Sequence, residues 1–140
     1  MVDAISLAMQ EARRAGNARR VLLVLSDGAD NNSRYSEGEL LSLVREADVR
    51  VYSAGLFERP RYLERLADES GGGVVWVHKL NELPDAMNKL SAQIRNEYRL
   101  GYFSDHAQND GRYHKVRVEV QPPADMKSVR VSWRRGYTAP

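Results

Sequence analysis

Asp27 is the side chain best placed to do chemistry. It follows five consecutive apolar residues, Val21-Leu22-Leu23-Val24-Leu25, and lies in the polar stretch Ser26-Asp27-Gly28-Ala29-Asp30-Asn31-Asn32-Ser33. In open parallel sheets, ligands bind beyond the carboxyl ends of the strands. A carboxylate set there by a rigid strand, beside a glycine that lets backbone approach, suits a hard cation such as Mg²⁺. By itself an Asp-Gly pair after a strand is also an ordinary turn. Other chemistries have less to work with. The chain has no cysteine, which excludes disulfides, zinc-thiolate sites and thiol nucleophiles. His78, His106 and His114 are far apart, without ligand spacing such as His-x-x-x-His, and read as surface residues. There is no Gly-x-Ser-x-Gly elbow, and Ser26 has no histidine base nearby in sequence. Gly71-Gly72-Gly73 does not fit a phosphate loop, precedes a strand, and reads as a helix-to-strand connection.

The elements that must position Asp27 follow from periodicity. Residues 3–15 form a helix, with Asp3 as N-cap, Ile5, Ala8, Met9 and Ala12 on one face, and Gly16 as its stop. The uninterrupted run Val21–Leu25 predicts a strand buried on both faces. Ser36-Glu37-Gly38-Glu39 is a capping box for a helix carried by Leu40, Leu41, Leu43, Val44 and Ala47. A strand from Val49 to Ala54 comes next, then a helix opened by Pro60 and stopped at Gly71. A strand from Val74 to Val77, with Trp76 in the core, precedes a long helix from Leu83 to Asn96. This α-β-α-β-α-β-α order predicts an α/β fold: a partial doubly wound parallel sheet with helices on both faces. Beyond residue 97 the period changes to two. Tyr98–Phe103, Tyr113–Val120 and Ser128–Arg134 predict a three-stranded antiparallel extension over residues 98–140, with valines and Trp133 packed inward and the arginines facing water.

The run Val24-Leu25-Ser26-Asp27-Gly28-Ala29-Asp30-Asn31-Asn32-Ser33 resembles the fourth strand and following loop of a von Willebrand factor type A domain, and more closely a bacterial subfamily first noted in acidobacteria. The resemblance continues through Glu46–Phe57, Leu66–Gly72, Leu80–Ala86, Ile94–Tyr102, Arg112–Val120 and Arg135–Pro140. It thus covers nearly the whole chain, as the C-terminal portion of such a domain. It implies protein–protein interaction or adhesion rather than catalysis, through a metal-ion-dependent adhesion site holding Mg²⁺ or Mn²⁺. Of that site only Asp27 is matched. The family's Asp-x-Ser-x-Ser loop and later Thr have no counterpart here, so any cation is expected to bind weakly or not at all. Asp30, Asn31 and Ser33 would shape the rim. The family's neighbour for the strand at Val21, Leu23 and Leu25 is also missing. An apolar strand edge is an association hazard, so self-association through it, or a covering partner, is expected. Relatives of this kind are often exported, although Met1 leads straight into a charged helix without an apolar leader.

Composition and length fit one globular domain, or one domain with a small appendage. The chain has 140 residues, 42% hydrophobic and 29% charged, with net charge +2, too little to imply nucleic acid. The charge is uneven: residues 1–70 carry 10 basic and 12 acidic side chains, residues 71–140 carry 11 and 7. The basic tail has aromatic neighbours, a pattern shared with single-strand binders. Its charges alternate with apolar residues, so a solvated strand face is the simpler expectation. No run reaches the roughly 18 apolar residues of a membrane span. Two other readings stay open: a Mg²⁺-dependent hydrolase or phosphoryl-transfer domain using Asp27, and a scaffold with no ligand.

Overall fold

The computed structural model describes residues 1–30, 32–103, 110–126 and 129–139. It is an α/β structure. Its main sheet has three parallel strands, β1 (Val21–Ser26), β2 (Arg50–Leu56) and β3 (Gly73–Val77), in the order β1-β2-β3. Four helices flank them: α1 (Val2–Arg14), α2 (Glu37–Glu46), α3 (Arg61–Ser70) and α4 (Leu83–Arg95). A 3₁₀ turn, Leu80–Glu82, leads into α4. No helix among the described residues is long and apolar enough to cross a membrane.

Two layers of side chains hold the sheet. On one face Val24 and Val51, with Leu22 and Trp76 packed against them, meet Ile5 and Met9 of α1, Leu40 and Val44 of α2, and Leu63 and Leu66 of α3. On the other face, Tyr52 and Ala54 meet Leu90 of α4, joined by Val21, Val75, Met87 and Ile94. The glycines explain the tight fit. Gly55 stands opposite Trp76 in the register, and a Cβ on it would lie 2.0 Å from the indole ring. A Cβ on Gly72 would lie 2.0 Å from the Val51 carbonyl oxygen. Ser36 forms the expected capping box with Glu39.

Four expectations are corrected. First, β1 is not buried on both faces. Val24 and Ser26 are buried, but Leu23 is 40% and Leu25 50% exposed. The reason is coverage: α4 packs on β3 and β2, while β1 is the outer strand and, among the described residues, pairs with β2 alone. Second, Asp3 does not cap α1. Met1 holds the N-cap position, and the Asp3 carboxylate accepts from the backbone N–H of Arg34 and Tyr35, both at 2.9 Å. Third, among its described residues the extension has two strands, not three. β4 (Tyr113–Lys115) pairs antiparallel with β5 (Gly136–Thr138), Tyr113 opposite Thr138. Residues 98–103 and 129–134 are irregular, and Ser128 lies outside the described residues. Position 136 is a glycine for a steric reason: a Cβ there would lie 2.3 Å from the His114 carbonyl oxygen. Fourth, the valine alternation does not produce a uniform inner face, because Val120 and Val129 are exposed.

The extension is anchored to the helices rather than to the main sheet. The Arg134 guanidinium donates to the Arg45 carbonyl at 2.8 Å, and the backbone N–H of Arg135 donates to the Glu69 carbonyl. Gly71, in the left-handed region at φ +75°, lets the Trp133–Arg134 backbone approach; a Cβ there would lie 2.4 Å from the Arg134 nitrogen. Trp133 closes the segment by donating its indole N–H to the Val116 carbonyl at 2.9 Å.

Candidate functional site

Asp27 stands just past the carboxyl end of β1. The turn that carries it is locally determined. The Gly28 N–H donates to Ser26 Oγ at 2.8 Å, and the Ala29 N–H donates to the Asp27 carboxylate at 3.2 Å. Gly28 adopts φ +90°, and a Cβ there would lie 3.0 Å from the Pro60 ring. Glycine is therefore favoured by conformation, and the loop after β2 packs tightly against it. Ser26 and Tyr62 form a buried floor, 7% exposed each. Burial raises the Tyr62 phenol above its ordinary value; Ser26 opposes the shift, and the negative charges of Asp30, Glu37 and Asp27 add to it. The Asp27 carboxylate itself faces water.

Asp30 and Ser33 do not turn towards Asp27. They close the amino end of α1. Asp30 Oδ1 accepts from the Met1 amino group, from the Val2 N–H at 3.3 Å, and from the Ser33 hydroxyl at 2.6 Å. Ser33 Oγ accepts from the Met1 amino group at 3.1 Å and from the Asp3 N–H at 3.3 Å. The first amides of a helix have no partner within it, and here a loop about thirty residues away supplies the acceptors. The Met1 amino group, then Ser33, holds the Asp30 carboxyl below the usual carboxylate range. Asn31 lies outside the described residues.

Among the described residues these donors do not build a cation cage. Mg²⁺ requires near-octahedral oxygen coordination. Asp27 offers one carboxylate already bonded to its own turn, and Asp30 is committed to α1. Among the described residues no group of three His, Asp or Glu side chains could hold a metal ion. His78 is exposed, His114 pairs with Asp110 at 3.0 Å, and His106 lies outside the described residues.

Beside Asp27 the sheet presents a second feature that sequence reasoning missed. Phe57, directly after β2, is held at φ +66°, a conformation costly for a bulky side chain. Its N–H donates to the Val77 carbonyl at 2.8 Å, and the next N–H, of Glu58, donates to the Leu56 carbonyl at 2.7 Å. The ring is 56% exposed. Arg59 lies over Trp76 at 5.9 Å and meets His78 Nε2 at 2.9 Å. Glu82 braces this end of β3 by accepting from the N–H of His78 and Lys79, bonds that hold its carboxyl below its ordinary value. The sequence offered one signal for this rim, a turn-forming Phe57-Glu58-Arg59-Pro60 at a strand end. Left-handed backbone at a phenylalanine has no local signature. Val21, Leu23 and Leu25 lie on one face of β1: Val21 packs on the Tyr52 cluster, and the two leucines are uncovered. The chain matches no protein-family model and no curated protein.

Proposed function

We propose that this chain is a non-catalytic protein-interaction module of the von Willebrand factor type A kind, the C-terminal portion of that domain, and that it meets its partner along the carboxyl edge of the main sheet. One observation carries the reading. A solvent-facing carboxylate, Asp27, sits on a glycine-dependent turn packed against the loop that displays a strained, exposed Phe57. Strained backbone persists only where the surrounding structure over-determines it, and it gathers at functional sites. An aromatic anchor beside a charged group is also how binding energy is commonly concentrated. Mg²⁺ or Mn²⁺ at Asp27 contributes weakly, because the oxygens of Asp30 and Ser33 are engaged at the amino end of α1.

The test uses the chain, its Asp27→Ala variant and its Phe57→Ala variant as baits against extracts of the source cells, in Mg²⁺ and in chelator. The expected result is a discrete partner retained by the parent in both conditions and lost with either variant. Identical retention by all three baits would overturn the proposal. So would Mg²⁺-dependent cleavage of a generic phosphoester that disappears in Asp27→Ala, which would favour a hydrolase.

The uncovered flank of β1 favours one addition. Leu23 and Leu25 expose apolar surface beside a strand edge that pairs with no other strand among the described residues, so β1 is a surface for a second copy of this chain or for a covering segment.

A further inference from the structure

A cleft of about 680 Å³ opens between α2 and α3 on one side and β4 with its continuation on the other. That volume is within the roughly 300–1,000 Å³ of small-molecule sites. Five cationic side chains line it: Arg45, Arg65, Lys115, Arg117 and Arg135. Two carboxylates, Asp68 and Glu69, oppose them.

The pairings show which cations remain available. Arg45 makes a two-pronged contact with Glu69, at 2.9 and 3.2 Å. This pair is held from beneath, where the Arg45 guanidinium lies 5.9 Å from the centre of the Tyr113 ring. Asp68 stands 3.9 Å from Arg135. Arg65 and Arg117 find their carboxylates outside the cleft, on Glu37 and Glu119. Lys115 makes no ion pair among the described residues. The cleft therefore has a fixed floor and an excess of positive charge on walls that can still reorient. Concave surfaces with an excess of one sign of charge concentrate ligands of the other sign. Arginine forks and a lysine ammonium match the oxygens of phosphate and carboxylate groups. Lys115, free of ion pairs among the described residues, and Arg117 stand on one wall and Arg65 on the other, the two arginines held only by exposed pairs with carboxylates outside the cleft, so one anionic group cannot satisfy all three.

We propose that this cleft binds a small organic or inorganic polyanion with two or more phosphate or carboxylate groups, gripped by Arg65 from the helices and by Lys115 and Arg117 from the strand side. The site uses none of the carboxyl-edge residues and is independent of the function proposed above.

The experiment is an amide NMR titration with calorimetry on the full chain, using pyrophosphate and citrate as probes at low and at physiological salt. The expected result is saturable binding of at least one probe, with shifts centred on residues 45, 65, 113–117 and 135 and affinity falling as salt rises. Binding by pyrophosphate alone assigns the site to phosphates, and by citrate alone to carboxylates. Lys115→Glu combined with Arg117→Glu should weaken binding by about tenfold or more. Both side chains are exposed, so the fold should tolerate the change, and circular dichroism checks this. Lys89→Glu, on the exposed side of α4, should leave affinity unchanged. Non-saturating shifts spread over surface arginines, or equal affinity in the double variant, would overturn the proposal. A single-stranded oligonucleotide that displaces both probes and shifts residues 129–135 as well would also overturn it, assigning the basic surface to nucleic acid.

Discussion

Removing the hydroxyl of Tyr52 should cost stability at neutral pH and should also flatten the alkaline limb of the stability profile. The Tyr52 ring is 4% exposed in the layer beneath α4. Its hydroxyl donates to Glu97 at 2.8 Å, the carboxylate that also binds Arg19 and Arg50. Burial, then the bond to Glu97, pushes the phenol up to about 12 from its ordinary 10.0. The folded state therefore keeps its proton where the unfolded chain has lost it. The sign follows: this contribution is fully present below pH 10 and is lost as pH rises towards 12. At about 1.4 kcal/mol for each pH unit, the full difference is about 3 kcal/mol. The hydroxyl ends at a surface ion cluster in which Arg19 is half exposed, so solvent screening reduces the effect to about 1–2 kcal/mol. At neutral pH, Tyr52→Phe loses one hydrogen bond to a charged acceptor but leaves Glu97 paired with both arginines, a cost of about 1–2 kcal/mol. The assay is urea unfolding, followed by circular dichroism, of parent and variant from pH 8 to the alkaline limit of reversibility. The gap between the two proteins should narrow steadily above pH 10. Parallel loss of stability in both proteins across that range would refute the reasoning.

Three further outcomes are expected. Gly55→Ala forces a methyl group into the Trp76 ring and should destabilise the sheet by about 1–3 kcal/mol, with altered tryptophan emission; unchanged emission and stability would refute the packing. Leu23→Lys with Leu25→Lys places charge on an outer strand, a known device against edge pairing. Light scattering should show concentration-dependent association of the parent and a monomeric variant, and a parent monomeric at high concentration would defeat self-association. Ser36→Ala removes the acceptor of the Glu39 N–H and should cost about 1 kcal/mol by chemical denaturation. The Ser36 N–H holds the Glu39 carboxyl below its ordinary 4.5, so the capping-box contribution is present above that pH and fades as pH falls through the lowered value.

What the sequence determined by itself is what depends on neighbours in the chain. The capping box at Ser36 and Glu39, the stop at Gly71, the turn at Asp27-Gly28 and the alternation of helices with apolar strands each need only a few adjacent residues, and they appear in the structure. Tertiary structure decided everything that depends on which distant surfaces meet. Val21–Leu25 is apolar throughout, yet on the α4 face only Val21 is packed while Leu23 and Leu25 stay exposed, because α4 lies mainly over β2 and β3. Asp30 and Ser33 have the composition of a ligand loop, yet their oxygens go to the amino end of α1, whose unpaired amides come from residues far away in sequence. In the extension, the valine alternation favoured residues 128–134 as a strand. The strand that forms among the described residues is instead Gly136–Thr138, where a glycine at 136 lets the two backbones approach beside His114. Period and composition report how a segment can be buried; the choice of partner is made by shape and hydrogen bonding across the fold.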